Sequence, residues 1–148
     1  MLNDIDGLVQ SFGALLKDNS FSDVTLVVGD HRMSAHRAVL AIRSDYFKTM
    51  FTTDLAERRD NDVILNDTSL DAFQSILNYA YTGKLDVEAM DGQALLEVLE
   101  LSHRYQFPWL QNAVATYLAL VDQLSLSAFG SVLALDNVQV PEIDRFWA

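Results

Sequence analysis

The chain has no cysteine, which removes disulfides, thiol catalysis and thiolate metal sites together. Basic residues are few: 10 lysines and arginines face 21 acids, a net charge of -11. An acidic surface repels phosphate backbones and anionic lipid headgroups, so neither nucleic-acid binding nor a membrane-surface role is expected. A basic partner surface would be attracted instead. No apolar run approaches the ~20 residues that a membrane helix needs. The opening MLNDIDGLVQ has two aspartates and no basic stretch, so a signal peptide is not expected.

Catalytic and cofactor patterns are missing too. The sequence contains no GxGxxG, GxxxxGK[ST] or GxSxG. The histidines are His31, His36 and His103, and none stands in an HExxH arrangement. Asp4-Ile5-Asp6-Gly7 lacks the spacing of a calcium loop. The close acid pairs Asp60/Asp62 and Asp86/Glu88 lie in polar stretches and read as solvated faces, not as an acid–base couple. An enzyme is therefore the least expected class, and no cofactor or metal is indicated.

Half of the residues are hydrophobic, enough for a real core in one domain, or in one domain plus the start of another. Ile5, Leu8, Val9, Phe12, Leu15 and Leu16 recur at helical spacing, with Asp4 or Asp6 as cap and Asp18-Asn19-Ser20 as breaker. Val24, Leu26 and Val28 alternate as in a half-buried strand, and Gly29-Asp30 turns the chain toward Met33 and Ala35. A helix from about Arg37 to Ile42 precedes one that Ser44 caps and that runs to about Phe51.

Thr52 to Asp62 is polar, and Val63-Ile64-Leu65 reads as a strand. The glycosylation sequon Asn66-Asp67-Thr68 is read as a turn or cap. Ser69 then opens a helix burying Phe73, Ile76, Leu77, Tyr79 and Ala80, which Gly83 closes. Leu85 and Val87 suggest a small strand. Helices follow over about Gly92 to Tyr105 and about Pro108 to Val121, and the apolar pattern resumes at Leu124 to Leu135 and Ile143 to Trp147. An early small sheet followed by runs of helices predicts an α+β domain dominated by helix.

Several of these elements together resemble the BTB/POZ domain. They are Phe21-Ser22-Asp23-Val24, Ala35-His36-Arg37, Val39-Leu40-Ala41, Ser44-Asp45-Tyr46-Phe47, Met50-Phe51 and Tyr79-Ala80-Tyr81-Thr82-Gly83. Ser102-His103-Arg104-Tyr105 stands where the family more often has Ala-x-x-Tyr. The resemblance spans about Leu8 to Leu120, and Leu95 to Asn112 is most similar to BTB domains followed by a BACK domain. It implies a small, mostly antiparallel sheet flanked by helices. Residues 1–121 would form the BTB/POZ domain and 122–148 the start of a truncated BACK-like helical extension.

The resemblance also implies three sites. Leu8, Phe12, Leu15 and Leu16 would pack on a second subunit of a homodimer. An amphipathic helix must bury its stripe somewhere, its own chain being the other place. Asp23 and Arg37 would share a charged pocket near that interface, unless Asp23 and His36 tie neighbouring backbone. Leu55-Ala56-Glu57, beside Asp54, matches the hydrophobic-x-Glu motif of BTB proteins that bind a cullin scaffold of ubiquitin ligases, with Phe51, Tyr81 and Phe107 as added contacts. The last two aromatics read equally well as core, and Leu55 as part of a solvated loop.

The function implied is a dimeric adaptor that recruits a cullin ubiquitin ligase in the cytoplasm or nucleus, its substrate bound by a downstream domain. The alternatives are a dimerisation and corepressor-recruiting module of a transcriptional regulator, and a channel-type tetramerisation domain.

Overall fold

The computed structural model describes residues 1–53 and 61–133, with side chains as far as residue 123. Helix α1, Ile5–Lys17, starts where the Asp4 carboxylate accepts the Gly7 N–H at 3.2 Å. Strand β1, Val24–Val28, buries Val24, Leu26 and Val28 on one face, as its alternation requires. Gly29, at φ 58°, makes the turn into β2, His31–Ala35, which pairs antiparallel with Val24 opposite Ala35. Strand β3, Asp62–Ile64, lies on the other edge, parallel to β1, with Leu26 opposite Val63.

The sheet order is thus β2-β1-β3, and the antiparallel pairing expected for most of the sheet accounts for one of its two ladders. The parallel ladder is available because the chain takes a long connection, residues 36–61, from β2 back to β3, and parallel pairing needs one.

Those two helices are α2, Arg37–Arg43, and α3, Asp45–Thr53. Ser44 stands at their junction, fully buried. Its hydroxyl accepts the Phe47 N–H at 3.1 Å, capping α3, and donates to the Tyr105 carbonyl. Helix α4, Leu70–Thr82, is capped by Ser69 and closed by Gly83 at φ 70°, as expected from sequence. The strand expected at Leu85 and Val87 is instead a 3-10 turn over Val87–Ala89, because the Asp86 carboxylate accepts the Ala89 N–H at 3.3 Å and winds the segment up.

Helix α5, Gly92–Arg104, is capped by Asp91 and ends in a paired closure. The Phe107 N–H reaches the Ser102 carbonyl and the Gln106 N–H reaches that of His103, with Gln106 left-handed at φ 54°. Helix α6 runs unbroken over Pro108–Leu133, so the two helical patterns expected on either side of Asp122 form one helix as far as the described residues go.

The core joins the inner face of β1 to α2–α6, with Phe47, Phe73, Phe107, Leu26, Leu40, Ile76 and Leu110 among its fully buried side chains. Tyr105 is its aromatic hub: Phe47 stacks on it at 6.0 Å, and Tyr46 and Phe73 meet it edge-on at 5.2 and 5.5 Å.

Because the Ser44 hydroxyl satisfies two buried backbone groups from sequence-distant elements, Ser44→Ala is expected to lower stability by about 1–3 kcal/mol. Urea unfolding followed by circular dichroism checks this, and an unchanged midpoint would mean that water replaces the hydroxyl.

Candidate interaction surface

The strongest surface feature is an apolar face built by α1 and α2. Along α1 the stripe splits. Leu15 and Leu16 turn inward and pack against the core, whereas Leu8 is 58% and Phe12 37% exposed. Ile42 of α2, 73% exposed, extends this apolar surface, and a shallow cavity of about 250 Å³ lies between the helices. Leu8, Val9 and Phe12 line one side, Val39, Ile42 and Arg43 the other, and Ala80 and Tyr81 of α4 form the floor. Of the four α1 residues expected to meet a second subunit, two remain available and two anchor the helix to its own chain. Ile42 escaped the sequence reading because Ala38 to Ile42 is apolar on every side, so no period shows which residue points outward.

A buried hydrogen-bonded chain ties α1 to the domain. The His36 N–H donates to the Tyr81 hydroxyl at 2.8 Å, leaving the hydroxyl proton for His36 Nδ1, also at 2.8 Å. The Ser20 carbonyl, 3.2 Å from Nε2, can only accept, so the ring proton sits on Nε2 and Nδ1 is the acceptor. Ser20 lies in the connection between α1 and β1, where its hydroxyl, and then its N–H, hold the Asp18 carboxyl below its ordinary range.

Asp23 and Arg37 are together, but first through backbone. Asp23 Oδ1 accepts the Arg37 N–H at 2.8 Å, and the Asp23 carbonyl accepts Arg37 Nε at 3.2 Å. His36, the residue at the helix cap, has no side-chain capping bond, so an aspartate from before β1 caps α2 in its place. The Arg37 guanidinium also lies 4.9 Å from the centre of the Phe51 ring.

The other expected partner-binding residues divide. Asp54, Leu55, Ala56 and Glu57 lie outside the described residues. Phe51, Tyr81 and Phe107 are buried, at 8, 3 and 2% exposure, so they present almost no area to a partner. The exposed aromatic near them in sequence is Trp109, 74% exposed in the first turn of α6. Its position after Pro108 read simply as a helix start.

Among the described residues no group of acids or histidines could hold a metal ion, and no helix is long and apolar enough to cross a membrane.

An exposed apolar helical face carried on a small sheet and a closed helical core marks a module that works by contact with other proteins. Comparisons with known proteins identify the class: the BTB/POZ domain family model matches residues 12–120, and the chain belongs to that family of non-enzymatic protein-interaction modules. It is 36% identical over 115 residues to human BTB/POZ domain-containing protein 9, which covers 77% of this chain and 19% of that protein. It is 37% identical over 93 residues to Kelch-like protein 15 of Danio rerio, covering 62% of this chain and 15% of that one. The chain therefore spans under a fifth of the length of these curated relatives. The solved BTB (Tramtrack and Bric a brac) domain of human Gigaxonin shares the fold, with a TM-score of 0.65 at 17% identity, over 79% of this chain and 95% of that domain.

Tyr81→Phe is expected to lower stability by about 1–3 kcal/mol, since it strands the buried His36 N–H. Burial pushes the Tyr81 hydroxyl up to about 12, above the ordinary tyrosine value. The unfolded chain thus ionises first, and this contribution to stability, complete below pH 10, declines as pH rises from about 10 to 12. Denaturation midpoints of wild type and variant across that window check it. Parallel curves would remove Tyr81 as the cause.

Proposed function

We propose that the chain is the dimeric interaction module of a substrate adaptor that recruits a cullin scaffold of a ubiquitin ligase. The observation that carries the dimer is the α1–α2 face, where Leu8, Phe12 and Ile42 are exposed side by side on the two walls of one groove. A two-fold pairing buries such a face on both copies at once. The cullin half of the reading rests on kinship with Kelch-like protein 15 and on Leu55-Ala56-Glu57, which follows the Met50-Phe51 helix. An apolar anchor beside a carboxylate can fill a pocket and meet a basic group.

The chain's net charge of -11 favours encounter with a basic surface on that partner. Residues from Asp122 onward would begin a BACK-like extension leading to a domain that selects the substrate. Dimerisation would then present two substrate sites and raise avidity. The cytoplasm, with access to the nucleus, is the compartment this role implies.

Light scattering should give twice the chain mass, and calorimetric titration with the N-terminal domain of the cullin that binds BTB proteins should saturate near one cullin per chain. Leu55→Ala combined with Glu57→Ala should weaken that binding at least tenfold while leaving the melting curve in place. Equal affinity of wild type and double variant would remove the cullin assignment, and a dimer without cullin affinity would move the role to corepressor recruitment.

A further inference from the structure

A second groove, of about 410 Å³, lies between α4 and α5 beside the turn that joins them. None of the residues assigned above to self-association or to the cullin lines it. Its apolar lining includes Ala72 and Val98, both buried, and Met90 and Ala94, both half-buried. The small side chains of Ala72, Ser75 and Ala94 on the two helices keep the trough open.

The polar lining is acidic. Asp71, Asp91 and Glu97 bring carboxylates to the groove, and among the described residues no lysine or arginine lines it. Two of these acids also serve their helices. Asp91 caps α5 by accepting the Ala94 N–H at 2.7 Å, and Asp71 lies in the first turn of α4, where the helix dipole favours an anion. Glu97 has neither use. It stands in the middle of α5, half-buried, and its carboxylate accepts from the Gln93 amide at 3.4 Å, which is long for a bond to an ionised group. The ion pairs among the described residues are Arg32–Asp62 and Arg104–Glu100, so no cation neutralises the groove.

A half-buried carboxylate without a counter-charge favours a ligand that brings one. An apolar trough edged by carboxylates matches one side chain in particular. The methylene stem of an arginine covers apolar surface, while its planar guanidinium donates charge-assisted bonds to carboxylate oxygens.

We propose that the α4–α5 groove is a docking site for an arginine presented by a basic segment of a partner protein, with Glu97 as the principal acceptor and Asp71 as the second. The net charge of -11 draws such a segment toward the chain, and the groove then selects the guanidinium.

The test is a nuclear magnetic resonance titration of the whole chain with the peptide acetyl-Gly-Ala-Arg-Ala-Gly-amide, beside a twin in which neutral citrulline replaces the arginine. The amide signals of Ser75, Gln93, Ala94 and Glu97 should shift and saturate with the arginine peptide, and the citrulline peptide should bind at least tenfold more weakly. Glu97→Gln and Asp71→Asn remove charge with little change of shape, and each should weaken the arginine peptide about tenfold. Asp30→Asn, in the exposed β1–β2 turn, should leave the affinity unchanged.

No saturable shift at the groove, or equal affinity for the two peptides, would overturn the site. An equal loss in Asp30→Asn and Glu97→Gln would overturn it too, reducing the attraction to net charge. Guanidinium chloride binding as tightly as the peptide would give the groove to a small cation and overturn the protein segment. The dimer and cullin assignments stand or fall separately from each of these results.

Discussion

The Tyr81 hydroxyl is the point through which the rest of the molecule is assembled. It accepts the N–H of His36, the residue that joins β2 to α2, and donates to the His36 ring, which in turn holds the connection to α1 through Ser20. Four parts of the chain therefore meet on two side chains: the last turn of α4, the end of the sheet, the start of α2 and the α1–β1 connection. Burial makes these bonds consequential in both directions. Satisfied, they fix the ring tautomer and the angle at which α1 leaves the domain, whereas a single missing partner would leave a polar group stranded in the core. The same geometry explains why Tyr81 cannot double as a surface contact. Its ring is core and its hydroxyl is fully employed.

A second buried junction complements the first. Ser44 ties the α2–α3 corner to the Tyr105 carbonyl, and the Gln106 carbonyl accepts the Asp45 N–H at 3.2 Å. One corner of the early helices is thereby fastened to the turn between α5 and α6, directly over the aromatic cluster of Phe47, Tyr105 and Phe107. The two junctions grip opposite ends of α2. This helix of seven residues is too short to be stable by propensity. Held at His36 by Tyr81, capped by Asp23 and fixed at Ser44, it becomes a rigid platform that can leave Ile42 in water without unravelling.

Much of this was legible in the residues because the signals were local. Val24, Leu26 and Val28 alternate, Ser69 and Gly83 bracket their helix, and Ser44 caps α3, each by chemistry that acts within a few positions. The parallel seat of β3 was not legible, because it depends on pairing across more than thirty residues. The closure at Gln106 was hidden for a different reason: the left-handed position that usually takes glycine is filled here by glutamine. Leu85 and Val87 looked like a strand until the Asp86 carboxylate captured a backbone N–H. Around the candidate surface, periodicity placed the α1 stripe but could not divide it into Leu15 and Leu16, which anchor, and Leu8 and Phe12, which remain available. That division is set by where α4 lies, which is tertiary information. The Arg37 contact with Asp23 was readable as proximity, but its use of backbone as well as charge was not.

Charge and apolar area have to be weighed together at the α1–α2 face. Apolar burial is worth roughly 25 cal/mol per Å² and does not depend on what the partner is, so the stripe of Leu8, Phe12 and Ile42 supplies affinity with little discrimination. The chain's excess of acids works against like-with-like association over distances of about a Debye length, roughly 8–10 Å. Long-range repulsion weakens with added salt, whereas a desolvated pair in a closed groove is screened much less. If the face assembled through apolar contact alone, salt would strengthen self-association steadily. Arg43, on the wall of this groove, has its guanidinium 5.0 Å from the centre of the Tyr79 ring, a contact made within the chain itself.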